Sequence, residues 1–233
     1  MRIIKPGESE PGPLKVAIAT PCMDHVGAGY ALDLAKLVGL VVRSSTIELS
    51  TFQVRGTIIP QQREALVTAA QQIDATHLLW IDADMRFPKD ALFRLLAHQV
   101  PIVAANYTRR RPPYLPTAEH REHGYLFTDE DTDGLTDVSV CGMGLMLVDM
   151  QVYAAIAEPW FALGFNPVEK TFVGEDFYFC TKAREAGYTV WIDQTLSREV
   201  THAGEMEVRY QHALQTRDLM AQSALVGGSN GTH

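Results

Sequence analysis

The sequence predicts an α/β protein built on a mostly parallel sheet flanked by helices, in a single domain. Short apolar runs bounded by turn residues alternate with helically spaced segments four times within roughly the first 107 residues. Paired acidic residues stand immediately beyond one of these runs, where open α/β sheets hold their ligands. The 233 residues are 46% apolar and 21% charged, enough for one sizeable core, and no repeat or linker divides them.

Taken in order, residues 1–13 carry three prolines and two glycines without periodicity and read as a mobile arm. Residues 14–20 (LKVAIAT) form a buried strand stopped by Pro21. A helix over 30–42 and a strand over 46–52 follow. Pro60 opens a helix reaching about residue 73, because proline is tolerated in a first turn. Residues 77–81 (HLLWI) are the next strand, Pro88 opens a helix to about residue 98, and 101–106 (PIVAAN) are a fourth strand. Three prolines keep 109–116 (RRRPPYLP) extended. Short strands at 125–128 and 136–140 flank an acidic turn at 129–134. Residues 141–148 (CGMGLMLV) read as a buried strand with close backbone approach at its glycines. A helix over 174–187, a strand over 189–192 and a helix over 205–225 complete a domain of residues 14–225, followed by a flexible tail at 226–233.

Lysine plus arginine number 20 and aspartate plus glutamate 28, for a net charge of −8. That balance argues against a diffuse grip on nucleic acid or an anionic membrane, while leaving room for a local basic contact. No apolar run approaches the ~18–20 residues of a membrane span, and the N-terminus lacks a signal-peptide core. Cys22, Cys141 and Cys180 are an odd number with no close pair, which suits a reducing compartment and a cytoplasmic protein.

Three sites have residues able to carry chemistry. Asp82 and Asp84 flank one small residue beyond the 77–81 strand, and two carboxylates so placed can meet a hard divalent cation from one side. The plainer reading is a polar turn, with Asp84 capping the helix that Pro88 opens. Gly174-Glu175-Asp176 begins a helix, where the dipole alone stabilises acidic residues. There Asp176 can also serve as a general base toward an acceptor hydroxyl. His202, in Thr201-His202-Ala203-Gly204, is either an ordinary surface or core histidine or a further ligand beside Asp84.

In combination these features resemble the glycosyltransferases of the GT-A fold, particularly the inverting, family-2-like branch, whose small stand-alone members are common in phage genomes. The stretches THLLWIDADMRFPKDAL, FVGEDFYFCTKAREAGYTVWID and THAG carry the resemblance, which spans about residues 14–204. It implies that Thr20 and Pro21 line the nucleotide base and ribose and that Arg63 contacts the nucleotide. It further implies that Asp82 faces the ribose or metal, that Asp84 and His202 bind Mn²⁺ or Mg²⁺, and that Asp176 is the base, with Glu175 the next candidate. The donor would be a nucleotide sugar, UDP-linked by expectation. Cys22-Met23-Asp24 stands where many relatives have an aromatic residue, so the identity of the base stays open.

For the acceptor, Tyr107, Arg109, Arg110, Arg111 and Tyr114 form a basic, aromatic, proline-stiffened segment. It can hold the donor diphosphate, or meet a phosphate backbone with its tyrosines free to stack. The phage-like resemblance points to hydroxymethylated cytosine in DNA, within a host cytoplasm, ahead of a polysaccharide or protein hydroxyl. A nucleotide-sugar hydrolase, a nucleotidyltransferase and a non-catalytic sugar-nucleotide binder are the competing classes. Val26-Gly27-Ala28-Gly29 is a poor match to the phosphate loop that a nucleotidyltransferase would need.

Overall fold

The computed structural model describes residues 13–168, 170–204 and 209–227. Residues 1–12 of the expected arm at 1–13, 205–208 of the expected last helix and 228–233 of the expected tail at 226–233 lie outside them. The chain begins with β1 (Lys15–Cys22), α1 (Ala28–Ser44), β2 (Glu48–Arg55), α2 (Ile59–Gln72), β3 (His77–Ile81), β4 (Met85–Arg86), α3 (Ala91–Ala97) and β5 (Ile102–Ala104). Two short pieces, β6 (Glu119–His120) and β7 (Gly124–Tyr125), precede β8 (Leu135–Val138), β9 (Leu145–Asp149) and α4 (Met150–Ala155). A hairpin of β10 (Gly164–Asn166) and β11 (Thr171–Val173) leads into α5 (Glu175–Glu185), β12 (Val190–Asp193), α6 (Gln194–Ser197), β13 (Thr201–His202) and α7 (Tyr210–Gly227).

The central sheet has seven strands in the order β2-β1-β3-β9-β5-β12-β8. Five of them, β2, β1, β3, β5 and β12, run one way, and β9 and β8 oppose them. Because β9 pairs antiparallel with both β3 and β5, the segment before it (Cys141 to Gly144) arrives at the edge where the parallel strands end. The first crossover reaches β2 on one side of β1 and the second reaches β3 on the other. A crevice therefore opens at the strand C-termini, as in other open α/β sheets.

Period-two alternation divides the core. On β3, Leu78 and Trp80 face one layer with Leu66 and Val67 of α2, Tyr153 of α4 and Phe179 of α5. Leu79 and Ile81 face the other, with Leu37 and Val41 of α1 and Leu92 and Leu95 of α3. Both faces of the strand are covered, which is why HLLWI reads as a continuous apolar run. Trp80 also satisfies its indole N–H on the Tyr153 hydroxyl at 2.8 Å.

Some boundaries differ from expectation. Pro21 does not stop β1, which continues to Cys22. Pairing with β3 ends at Ala19, so no partner on that side requires an N–H from Pro21. The third helix starts at Ala91, not Pro88, because Pro88 accepts the Ala91 N–H in a preceding turn at 3.1 Å. Asp84 accordingly caps no helix. The final helix starts at Tyr210 and runs to Gly227, past the expected domain limit at 225.

Candidate active site

The crevice is built by the segments that leave the strands. Asp82 and Asp84 follow β3, the Arg109–Arg111 stretch follows β5, and α5 presents Asp176 in its first turn. His202 lies far along the chain, yet β13 pairs with β4 and places it opposite Met85. The Ala203 N–H also donates to the Asp84 carbonyl at 2.8 Å. This small two-stranded sheet brings the histidine to the acidic pair.

His202 Nδ1 lies 3.1 Å from the Thr108 carbonyl, which can only accept, so Nδ1 carries a proton. In the charged ring Nε2 also carries a proton and faces Asp84 Oδ2 at 3.5 Å, whereas in the neutral ring Nε2 is the lone-pair nitrogen. The ring packs edge-on against Tyr107 at 5.2 Å. Burial pushes the Asp84 carboxyl up, but hydrogen bonding and charge from His202, with the Arg110 charge, outweigh it and hold the group below its ordinary value. Arg110 Nη1 is 2.8 Å from the same oxygen.

Asp82 is held differently. Its carboxylate accepts from Arg63 Nη2 at 3.1 Å, and Arg63 Nε donates to Glu175 at 3.0 Å. Arg63 lies over the Trp80 ring at 5.1 Å with its side chain only 3% exposed. Burial disfavours its charge, yet the two carboxylates more than compensate and raise its pKa. Asp82 itself is raised, chiefly by burial. Among the described residues no three His, Cys, Asp or Glu side chains converge to hold a metal. Asp84 and His202 fit a divalent cation as a pair of donors, while Asp82 is turned to Arg63.

Asp176 is the third centre. Its carboxyl is pushed up to about 6 by burial, with the neighbouring Glu175 charge adding to the shift. One of its oxygens accepts the Phe177 N–H at 2.8 Å. Gly174 belongs before it because a Cβ there would stand 2.5 Å from that oxygen.

Three cavities meet around these groups. One of about 640 Å³ is bounded by Pro21, Asp24, Gln62, Asp82, Asp84 and His202. A second, about 970 Å³, is walled by Arg109, Arg110, Arg111, Tyr114 and His202. The third, about 490 Å³, has Asp176 on its lining with Arg109, Thr117, Glu119, Tyr125 and Phe172. Arg110 borders the first two and Arg109 the last two, so this stretch separates the acidic pair from Asp176.

The structure corrects several expected positions. Thr20 is buried and bonded to the Tyr30 hydroxyl; it lines an apolar cavity beside α1 rather than the one holding Asp82. Arg63 is enclosed beneath the crevice and does not face it. Glu175 is committed to Arg63. Tyr107 is only 8% exposed, its hydroxyl accepting the Gly144 N–H at 3.0 Å, so it has no free face for stacking. Sequence reasoning missed the β10–β11 hairpin, where Phe165 and Phe172 are exposed and Phe172 shares a cavity lining with Asp176. Their signal is two phenylalanines in the GFNPVEKTFV stretch immediately before Gly174-Glu175-Asp176.

No family model matches the chain, and no curated protein matches it by sequence. Among solved structures it is similar to A197 from STIV, at 18% identity and a TM-score of 0.53, over 81% of this chain and 85% of that one. That likeness shows a shared fold. The mostly parallel α/β sheet flanked by helices is the fold class expected from the sequence. The chain also resembles GalNAc-T7 with UDP, GalNAc and Mn²⁺, at 9% identity and a TM-score of 0.48, over 90% of this chain and 48% of that one. A further similar structure is S. aureus TarS 1–349, at 13% identity and a TM-score of 0.39, over 77% of this chain and 57% of that one. No helix among the described residues is long and apolar enough to cross a membrane.

Proposed function

We propose that this protein is a glycosyltransferase that moves a sugar from a nucleoside diphosphate, UDP by preference, to an acceptor hydroxyl with inversion. The observation that carries the reading is the division of labour at the sheet edge. Asp84 and His202 border one cavity, and a buried carboxyl with a pKa near 6 borders another. A donor diphosphate belongs beside the first pair, where they would hold Mn²⁺ or Mg²⁺. Bound there, the ion would offset negative charge on the leaving diphosphate. Arg110, already on Asp84, is placed to turn to the same phosphates.

Asp176 serves the acceptor. As the acceptor oxygen bonds to the anomeric carbon, the bond from that carbon to the diphosphate oxygen breaks. The electron pair leaves with the nucleotide, and the hydroxyl proton passes to Asp176. A carboxylate with a raised pKa is a stronger base than an ordinary one and is still ionised at neutral pH. Arg63 positions this machinery from below by tying Asp82 to Glu175, the residue preceding the base.

Hydroxymethylated cytosine in DNA is the acceptor proposed. The cavity walled by Arg109, Arg110 and Arg111 supports this by offering a focused phosphate contact in a chain whose net charge is −8. The test is incubation with Mn²⁺ and a panel of nucleotide sugars, with and without hydroxymethylcytosine DNA, with Asp84→Ala as control. Mass spectrometry should find metal-dependent sugar on the modified base. Nucleotide release without a DNA product would redirect the acceptor to a saccharide or protein hydroxyl. No binding of any nucleotide would overturn the donor site itself.

A further inference from the structure

The β10–β11 hairpin holds an exposed apolar surface that the donor chemistry does not use. Phe165 and Phe172 are directly opposed across its strands, with ring centroids 5.3 Å apart. Phe172 is 79% exposed and Phe165 is 55% exposed, and Leu163 and Val168 nearby in the chain are exposed as well. Cross-strand aromatic pairs normally help to bury a sheet face. Here the face is turned outward on the two strands leading into α5, and contiguous exposed apolar surface of this kind marks an interaction site.

Its position identifies the partner. Phe172 lines the same cavity as Asp176, so a hydroxyl delivered to Asp176 passes beside this ring. Tyr125 and Phe177 line that cavity too, and the Arg109 guanidinium lies 5.6 Å over the Tyr125 ring. The polar groups are Asp176, Thr117, Thr171 and the pair Arg109 and Glu119, which lie 3.3 Å apart. Aromatic side chains and polar groups sharing one cavity suit a planar ring that has a polar edge. A lipid chain would need a long apolar groove, and a phosphate would meet the Asp176 carboxylate, with the Arg109 cation already paired to Glu119.

Resting on the transferase reading, we propose that the hairpin is a stacking platform for the acceptor. Phe172, backed by Phe165, takes the face of a hydroxymethylated pyrimidine that has left its base stack, and the hydroxymethyl arm reaches Asp176. The neighbouring arginine cavity then holds the flanking phosphates. A base inside a duplex cannot present its arm to a recessed carboxylate, so the nucleotide must turn out, and an aromatic face replaces part of the stacking it loses.

The test compares the wild type with Phe172→Ser and Phe172→Trp on hydroxymethylcytosine oligonucleotides, single-stranded and duplex. UDP affinity and circular dichroism are measured on the same preparations. Phe172→Ser should lose about tenfold or more in kcat/KM, the order expected for one lost base–aromatic stack. The loss should be larger on duplex than on single strands, with UDP affinity unchanged, and Phe172→Trp should retain activity. Equal kcat/KM for all three proteins would overturn the platform while leaving the transferase intact. Wild-type transfer confined to saccharides would overturn the base as its occupant. A wild type that binds no nucleotide would sink the transferase reading on which both depend.

Discussion

Asp176 combines a catalytic assignment with a cost in stability. Its carboxyl is raised from 3.8 to about 6 in the folded protein, so the folded state holds this proton more tightly than the unfolded chain. Stability is therefore lost as pH rises from about 4 to about 6, and the deficit stays constant above that. Two pKa units correspond to about 3 kcal/mol. Asp176→Asn should abolish transfer yet raise stability at pH 8 by up to about that amount, as read from urea denaturation. In the wild type, transfer should rise with pH with a midpoint near 6; a flat profile from pH 5 to 8 would remove Asp176 as base. Arg63 behaves oppositely. Arg63→Met leaves Asp82 and Glu175 without their shared partner, and the expected loss is about 3–5 kcal/mol in the same denaturation experiment. Both roles were only half legible beforehand. Residue type and order marked Asp82, Asp84, Asp176 and His202, whereas the enclosure of Arg63, Thr20 and Tyr107 depends on how α1, α2 and the loop before β9 close over them.

Among the elements, β4 and β13 are the pieces on which the site depends and the ones local pattern could not reveal. Two residues each are too short for a periodic signal, and they are joined by register: Met85 opposite His202 and Arg86 opposite Thr201. Ala203→Pro removes the N–H that bonds to the Asp84 carbonyl and should loosen His202. Metal-dependent transfer should then fall by roughly 10–100-fold, the usual consequence of a disturbed support around a ligand. Urea denaturation should change little. The segment before β9 supports the same histidine from the other side. A Cβ on Gly144 would stand 2.7 Å from the Tyr107 ring, and that ring packs on His202. Gly144→Ala should cost about 1–3 kcal/mol in the denaturation midpoint and reduce transfer as well. The glycine punctuation of CGMG did signal a close approach; that the approaching group is Tyr107 became visible only in the fold.

Across the whole molecule, the four strand–helix alternations correctly indicated a mostly parallel α/β sheet, and a cavity opens beyond β3 at Asp82 and Asp84. The two antiparallel strands, β9 and β8, were located as apolar segments, but their direction depends on long-range pairing that a single segment does not encode. The hairpin was missed because its phenylalanines are exposed, and apolar periodicity reports burial rather than use. The proposed donor site lies along one edge of this sheet, and the arginine stretch separates it from the cavity that Asp176 and Phe172 share. Donor binding and proton removal are proposed to reside on different residues. Calorimetric titration of UDP with Mn²⁺ into the wild type, Asp84→Ala and Asp176→Asn tests it most directly. The wild type and Asp176→Asn should bind with similar affinity, and Asp84→Ala should bind far more weakly. Equal binding by Asp84→Ala, or its loss in Asp176→Asn, would contradict that division.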